Sequence, residues 1–572
     1  MSKPVCVIKF GGSVLTDEPA CSTAVHEVYS AYRQGYDVVA VCSAFKGETD
    51  DLTRLAERIS ENALPSAFSA LLRTGEVRSA ACLAIACDAA GLPTTLLEPD
   101  QFALSTVGPL HDASPVSIDA AAFDRAFERY AVVVVPGFYG RDADGSISLL
   151  GRGGSDLTAL FLARQLDAAD CRLVKDVHGW FDAVNAEGDG APSNATRSFY
   201  RTLNLPEATR RCDKVVQPKA VLFAAQNRTT FRLGRPLSNE HTTISDVAST
   251  VSLPNDRRRL RVALLGAGTV GAGVWRHLLR VADRFEIVAG VVHNTEAERP
   301  HWVNRDLLFD HLADAPAHDV LIEALPGARV AHPHVEAALE QGIAVITANK
   351  DLVARYGSAL QDSASRTGAP FRYSASVGGA CAILEFADRL TRAGDAVVRV
   401  RAVLNATTNV ILDGVRSGLT FDEAVADAQR RGFAEADPST DLSGTDAANK
   451  LAIVYHRLTG SWLDPDEVTR QPLDADTVTH AAHSARHIAE LRLFDGAERP
   501  LAARVTLEEL GDDDPLSRLT GVWNGALFEM ASGATWFVSG RGAGRWPTSE
   551  SVMADLLDVH RELTFAPDPI VS

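Results

Sequence analysis

Short apolar runs separated by longer stretches with helical apolar spacing recur along both halves of this chain. Val5–Phe10, Asp37–Cys42, Ala131–Pro136 and Arg172–Asp176 read as buried strands in the first half. Arg261–Leu265, Glu286–Val292, Val320–Ala324 and Ile343–Thr347 read the same way in the second. Strands alternating with helical patterns imply parallel sheets with helices on both faces, an α/β fold class. Ser245–Arg259 is polar, carries Pro254 and ends in a run of arginines, which suits a linker. The pattern therefore predicts a first domain over 1–244, a linker over 245–259 and a new domain from 260 to 372. The region 373–530 has fewer glycine turns and is expected to form a separate lobe.

With 572 residues, two to four cores are expected. The net charge of -18 argues against a nucleic-acid partner. It leaves room for phosphate-bearing cofactors, which local backbone and a few cations can hold. Eight cysteines without a C-x-x-C pair read as reduced thiols of a cytoplasmic protein. No apolar run reaches the length that spans a bilayer, and the start shows no signal-peptide pattern. Small-molecule partners, and neither nucleic acid nor membrane, are expected.

Leu260–Leu265 runs straight into Gly266-Ala-Gly268-Thr269-Val270-Gly271, and Ala272–Leu279 reads as a helix. Strand, glycines and helix in that order form a dinucleotide site, because the glycines let a pyrophosphate approach a helix N-terminus. The next strand ends Val291-Val-His293-Asn-Thr, without the acidic residue that grips the ribose of NAD, which leans toward NADP; no arginine immediately follows to hold a 2'-phosphate, so NAD stays open.

The strand Ile343–Thr347 leads into Ala348-Asn349-Lys350, where side chains face a ligand crevice. Further on, Thr445–His456 has helical spacing, with Ser443 as its expected N-cap. Asp446 and Lys450 then share one helix face. Taken alone, such a pair reads as an exposed ion pair of little worth.

Together Ala348-Asn-Lys350, Leu404-Asn-Ala-Thr-Thr-Asn409, the Glu435–Lys450 run and Gly540-Arg-Gly-Ala-Gly-Arg-Trp-Pro-Thr548 resemble homoserine dehydrogenases, over Leu260 to Leu563. The resemblance implies that Lys350 and Lys450 act at the reacting oxygen, with Asp446 orienting water or Lys450. It implies that Glu435 and Asp441 grip the substrate ammonium group and that Asn349 lies at the cofactor. It further implies that 373–530 is a substrate and homodimer lobe, and that 531–572 returns Gly540 to the cofactor crevice. A monovalent cation, Na+ or K+, is implied at Val377 and Gly379. The family's carboxylate and proline there are replaced in Ser374-Ala-Ser-Val377-Gly-Gly379-Ala-Cys-Ala382, and Ala406 replaces a glycine.

In the first half, Lys9 stands at a strand end beside Gly11 and Gly12, a phosphate cradle in outline. Gly151-Arg152-Gly-Gly-Ser-Asp156-Leu-Thr158 opens an apolar helix over Ala159–Leu166, which suits an anion. With Ser43, Thr49 and Glu76, this set resembles the catalytic domain of aspartate kinases, of the amino-acid kinase fold (αβα sandwich), over about 3–244. The resemblance implies that Lys9 stabilises the transferring phosphoryl group, with Gly11 and Gly12 near the ATP phosphates. Ser43, Thr49, Glu76, Arg152 and Asp156 would surround aspartate, Lys175, Asp176 and Lys214 would line the nucleotide site, and Mg2+ would accompany ATP. Departures at Ser13, Val14, His178, Val184, Asn185 and Cys212 lie on the nucleotide side.

The whole chain resembles the bifunctional aspartate kinase–homoserine dehydrogenases, without the regulatory ACT domains those enzymes usually carry between their two units. The resemblance implies ATP-dependent phosphorylation of aspartate and NAD(P)H-dependent reduction of aspartate semialdehyde, with no threonine or lysine feedback through such a domain. A kinase-like domain without turnover, or a related amino-acid semialdehyde as substrate, remains open at this point.

Overall fold

The computed structural model describes residues 3–181, 199–211, 215–238, 241–252, 259–392, 394–479, 484–493 and 502–564. The chain divides into two compact units, Met1–Asp256 and Arg257–Ser572.

The first unit is built on a nine-stranded sheet. At its centre lies β1 (Val5–Phe10), between β2 (Asp37–Cys42) and the strand Asp170–Val174, parallel to both. All six residues of β2 are buried, as a strand covered on both faces must be. Behind it runs α1 (Pro65–Ala89), with proline in its first turn where a missing N–H costs nothing. Then come β3 (Val132–Pro136), α2 (Gly154–Gln165) and β4 (Asp170–Val174). Two expected boundaries move. Helix α2 starts at Gly154 rather than Ala159, because Ser155, Asp156 and Thr158 are polar yet buried and break the apolar pattern without breaking the helix. Strand β4 lies two residues earlier than expected, its polar start sustained by Arg172 and Arg232 pairing with Asp170. Lys175 and Asp176 consequently lie beyond its carboxyl end.

The second unit holds a six-stranded parallel sheet. Its strands include β5 (Leu260–Leu265), followed by α3 (Thr269–Leu278), then β6 (Phe285–Val291), β7 (Val320–Glu323) and β8 (Ala344–Thr347). The chain passes from β5 outward to β6, then returns to place β7 on the other side of β5. The gap between β5 and β7 is thus the point where strand order reverses, and ligands of such sheets bind outside the strand ends there. From β8 the chain enters α4 (Lys350–Thr367).

A second six-stranded sheet carries the strands Val397–Val403 and Arg486–Arg492 at its centre. Against it lie α5 (Ala406–Arg416) and α6 (Thr445–Thr459). The N-cap of α6 is Gly444 at φ +77°, not Ser443. Ser443 already caps the short turn Ser439–Leu442 and bonds its hydroxyl to Thr445 at 2.9 Å. The strands β9 (Trp523–Met530) and β10 (Thr535–Arg541) lead to α7 (Arg545–Thr564). Ser549 of α7 donates to the Val270 carbonyl of α3 at 3.3 Å. Among the described residues no helix is long and apolar enough to cross a membrane.

Candidate active sites

In the second unit the glycines of the β5–α3 turn have separate tasks. Gly266 has φ +102°, and a Cβ there would lie 2.8 Å from the Ala324 carbonyl. At Gly271 a Cβ would lie 2.0 Å from the Gly266 carbonyl, so only glycine lets the helix begin this close to the strand. Gly268 meets nothing within 4 Å and is exposed with Thr269. These two residues open α3, three residues earlier than the apolar spacing indicates, and the first amides of a helix have no acceptor within it. Val270 is half-buried.

Across the switch point, Glu323 ends β7 with no exposure at all. Its carboxyl accepts from the Leu325 backbone N–H at 2.7 Å, from the Asn349 side chain at 3.5 Å and from the Thr347 hydroxyl. Burial pushes its carboxyl up, against those three bonds. Asn349 also caps α4, accepting from the Leu352 N–H at 3.1 Å. One buried side chain therefore ties the end of β7 to the end of β8 just before Lys350.

Lys350 Nζ lies 2.6 Å from Asp446 Oδ1, and Lys450 Nζ lies 2.7 Å from Asp446 Oδ2. Asp446 is 1% exposed, so the pair is not the solvated surface contact its spacing alone suggests. Burial would raise the Asp446 carboxyl, but the ammoniums of Lys450 and Lys350 hold it well below the usual range. Asp446 in turn pushes Lys350 up against the opposing effect of burial. Lys450 also donates to the Leu404 carbonyl at 2.7 Å. Lys350 keeps about a third of its side chain open.

Asp441 is half-buried beside this cluster, whereas Glu435 stands exposed on the loop before it. Between Asp441 and Asp446 lies Asn405, which the sequence reading quoted within a motif without giving it a task. Its Nδ2 donates to Asp441 at 2.6 Å and to Asp446 at 2.8 Å. The only local signal was an Asn before a helical run, the mark of an N-cap, and Asn405 does cap α5 through Thr408 N–H at 2.8 Å. Gly540 is buried, with the Cys381 backbone 2.8 Å from where its Cβ would stand, so it serves close packing rather than an open surface. The exposed part of that turn is Ala543–Gly544.

Val377 and Gly379 lie in a buried loop, and among the described residues neither carbonyl accepts a hydrogen bond. Orphaned buried carbonyls fit a monovalent cation. No carboxylate of the loop joins them; Ser374 stands there, its N–H donating to Asp555 at 2.9 Å.

The first unit has a cavity of about 690 Å3 at the carboxyl ends of its central strands, lined by Lys9, Gly12, Ser43, Thr49, Glu76, Arg152 and Asp156 together with Lys46 and Phe138. Asp156 is 2% exposed and clamped between two cations, Lys9 at 2.6 Å and Lys175 at 2.7 Å. Lys175 reaches this place because β4 ends one residue before it, and it also donates to the Val215 carbonyl at 2.6 Å. Burial raises Asp156, but Lys9 and Lys175 outweigh it and hold the carboxyl low. Glu76 accepts from Ser155 at 3.1 Å and from the Ala44 N–H, yet burial dominates and pushes its carboxyl up to about 8. Gly11 sits on the Lys9 ammonium, 3.1 Å from where a Cβ would be. Arg152 is exposed at the cavity rim, and Asp176 is exposed and not part of the lining. Lys214, Val184, Asn185 and Cys212 lie outside the described residues.

Comparison with known proteins separates the same two parts. Residues 4–193 match the model of the amino acid kinase family. Residues 266–374 match that of the homoserine dehydrogenase NAD binding domain, and residues 383–557 that of homoserine dehydrogenase. A homoserine dehydrogenase of Bacillus subtilis is 32% identical over 324 residues, 54% of this chain and 74% of that protein. One from Pseudomonas aeruginosa is similar to the same extent. A solved homoserine dehydrogenase from Thiobacillus denitrificans is 28% identical, with a TM-score of 0.50 over 54% of this chain and 74% of that one. The chain belongs to the homoserine dehydrogenase family and carries an amino acid kinase domain ahead of it.

Proposed function

We propose that the second unit interconverts L-aspartate 4-semialdehyde and L-homoserine with NADP(H), and that the first phosphorylates L-aspartate with ATP and Mg2+. The observation that supports the dehydrogenase most directly is the Lys350–Asp446–Lys450 cluster below the strand-order reversal. Reducing an aldehyde leaves negative charge on oxygen, and two fixed ammoniums stabilise that charge better than mobile water. A bound nicotinamide supplies the hydride. Lys350, the more open of the two, lies where it can pass a proton to the oxygen, while Asp446 keeps both cations in place. Asp441, beside the cluster, and Glu435, exposed on the loop before it, suit the substrate's ammonium group. The absence of a carboxylate at 292–295, and the Arg299 guanidinium folded onto the Asn294 carbonyl at 2.7 Å, favour a 2'-phosphate and hence NADP.

In the first unit, Lys9 and Lys175 flank Asp156 where a transferring phosphoryl group needs neutralising charge. Glu76 suits the ammonium of aspartate and Arg152 its carboxylate, with Ser43 and Thr49 completing the pocket. The buried Lys9 lining the cavity, with Lys175 on the other oxygen of Asp156, favours turnover over a domain that has lost it. The test is ATP- and Mg2+-dependent phosphorylation of aspartate by the full chain, with the acyl phosphate trapped by hydroxylamine and homoserine oxidation followed in the same preparation. Lys9→Ala should abolish the first and leave the second. Loss of neither, or no acyl phosphate from the unaltered chain, overturns the kinase assignment.

A further inference from the structure

Asn405 has one acceptor and two donors on its side chain, and its setting allows only one orientation. The acceptor caps α5 at Thr408 N–H, 2.8 Å away, which turns Nδ2 toward the carboxylates. The two donors then reach Asp441 Oδ1 at 2.6 Å and Asp446 Oδ2 at 2.8 Å. The residue is 4% exposed, so water does not compete for these bonds. The charged groups facing the bridge are Asp441 on its loop, Asp446 and Lys450 on α6, and Lys350 on α4. Two carboxylates this close repel, and the usual relief is for one to take a proton.

We propose that Asn405 is a positioning residue that bridges Asp441 and Asp446 so that both stay charged at one pH, one for the substrate's ammonium group and one for the two lysines. A neutral group with two N–H bonds suits the task, because it bonds both anions and cancels neither charge. A lysine there would neutralise one of them, and a hydroxyl could donate to only one. The assignment of the two roles rests on the dehydrogenase reading above; the bridge does not.

The test compares the full chain with Asn405→Ser and Asn405→Ala. Serine keeps the N-cap but loses the double donation, while alanine loses both. The activity readout is kcat/KM for homoserine oxidation against pH. Asn405→Ser should move the acidic limb upward by about one pH unit and lower kcat/KM about tenfold near neutrality. An unmoved limb with a uniform drop overturns the proposal. A second readout needs no turnover: the melting temperature of the second unit between pH 4.5 and 7. Burial and Asp446 already push the Asp441 carboxyl up, and the Asn405 bond opposes that rise. Without the bridge Asp441 rises further and keeps a proton that the unfolded chain releases, so the gap between Asn405→Ser and the unaltered chain should widen as pH rises. A gap independent of pH would overturn the bridge, leaving only the cap, which the further loss from Asn405→Ser to Asn405→Ala measures. If the unaltered chain does not oxidise homoserine yet the gap widens, the bridge stands and the substrate assignment falls.

Discussion

Lys350 Nζ stands 2.6 Å from Asp446 Oδ1, although the lysine begins one helix and the aspartate another. Glu323 and Asn349 fix the start of the first helix, and Gly444 lets the second begin beside it. The cluster is thus assembled where two helices start, with Lys450 one turn into the second.

Asp446→Asn keeps the shape and removes the charge between the lysines. It should cut kcat for homoserine oxidation by roughly 100- to 1,000-fold while leaving NADPH binding within a few-fold, measured by steady-state kinetics and fluorescence titration. Leaving the buried Lys450 and the half-buried Lys350 without this counter-ion should also destabilise the second unit by about 2 kcal/mol in denaturant unfolding. Full activity in this variant would remove Asp446 from the mechanism.

Glu76 makes the first unit sensitive to pH in a stated direction. Its carboxyl rises from 4.5 to about 8 on folding, burial being the main cause. Between those values the unfolded chain has lost a proton that the folded one keeps, so the empty unit loses stability as pH rises through that window. One pH unit of difference is worth about 1.4 kcal/mol, so Glu76→Gln should gain several kcal/mol at pH 8.5 and little at pH 4. Differential scanning calorimetry at the two values measures it. Binding of aspartate at pH 7 should release a proton, visible by calorimetry in buffers of different ionisation heat.

The dinucleotide turn offers a matched pair of substitutions. A Cβ at Gly271 meets the Gly266 carbonyl at 2.0 Å, whereas one at Gly268 meets nothing within 4 Å. Gly271→Ala should lower both the melting temperature and NADPH affinity. Gly268→Ala should leave the melting temperature unchanged and weaken NADPH at least tenfold, because the new methyl group stands where the pyrophosphate approaches. Equal binding by the Gly268 variant would place the cofactor elsewhere.

Glu323→Ala should free Leu325, Thr347 and Asn349 at once and cost about 2–4 kcal/mol in unfolding, because three buried donors lose their acceptor. Glu323→Gln should recover most of this while lowering kcat, since the oxygen shared by Leu325 and Asn349 is kept but the Thr347 hydroxyl beside Asn349 loses its acceptor. A variant with native kcat would limit Glu323 to a structural part.

Much of this was legible in the sequence for local reasons. β5, its glycines and α3 follow one another within a few residues, and Asp446 and Lys450 share a face by helical spacing alone. What was not legible depended on groups far apart in the chain. Glu323 looks like the polar end of an apolar strand, and nothing nearby marks Thr347 and Asn349 as its partners. Lys175 was placed inside a strand that ends one residue before it, because polar residues at 170 and 172 hide the true strand start. Asn405 announces its cap but not its bridge.

Both units share one local design: a buried aspartate between two lysines, Asp156 in the first and Asp446 in the second. Each resting pocket is thereby self-neutralised in part, with three charges summing to one positive charge instead of two. Sulfate or inorganic phosphate in solution finds its intended partners already engaged, and should inhibit only weakly at millimolar concentration. A substrate has further anchors with which to displace the aspartate from its cations. The internal counter-ion thus works as a filter against abundant anions, keeping both pockets free for scarce reactants in a salt-filled medium.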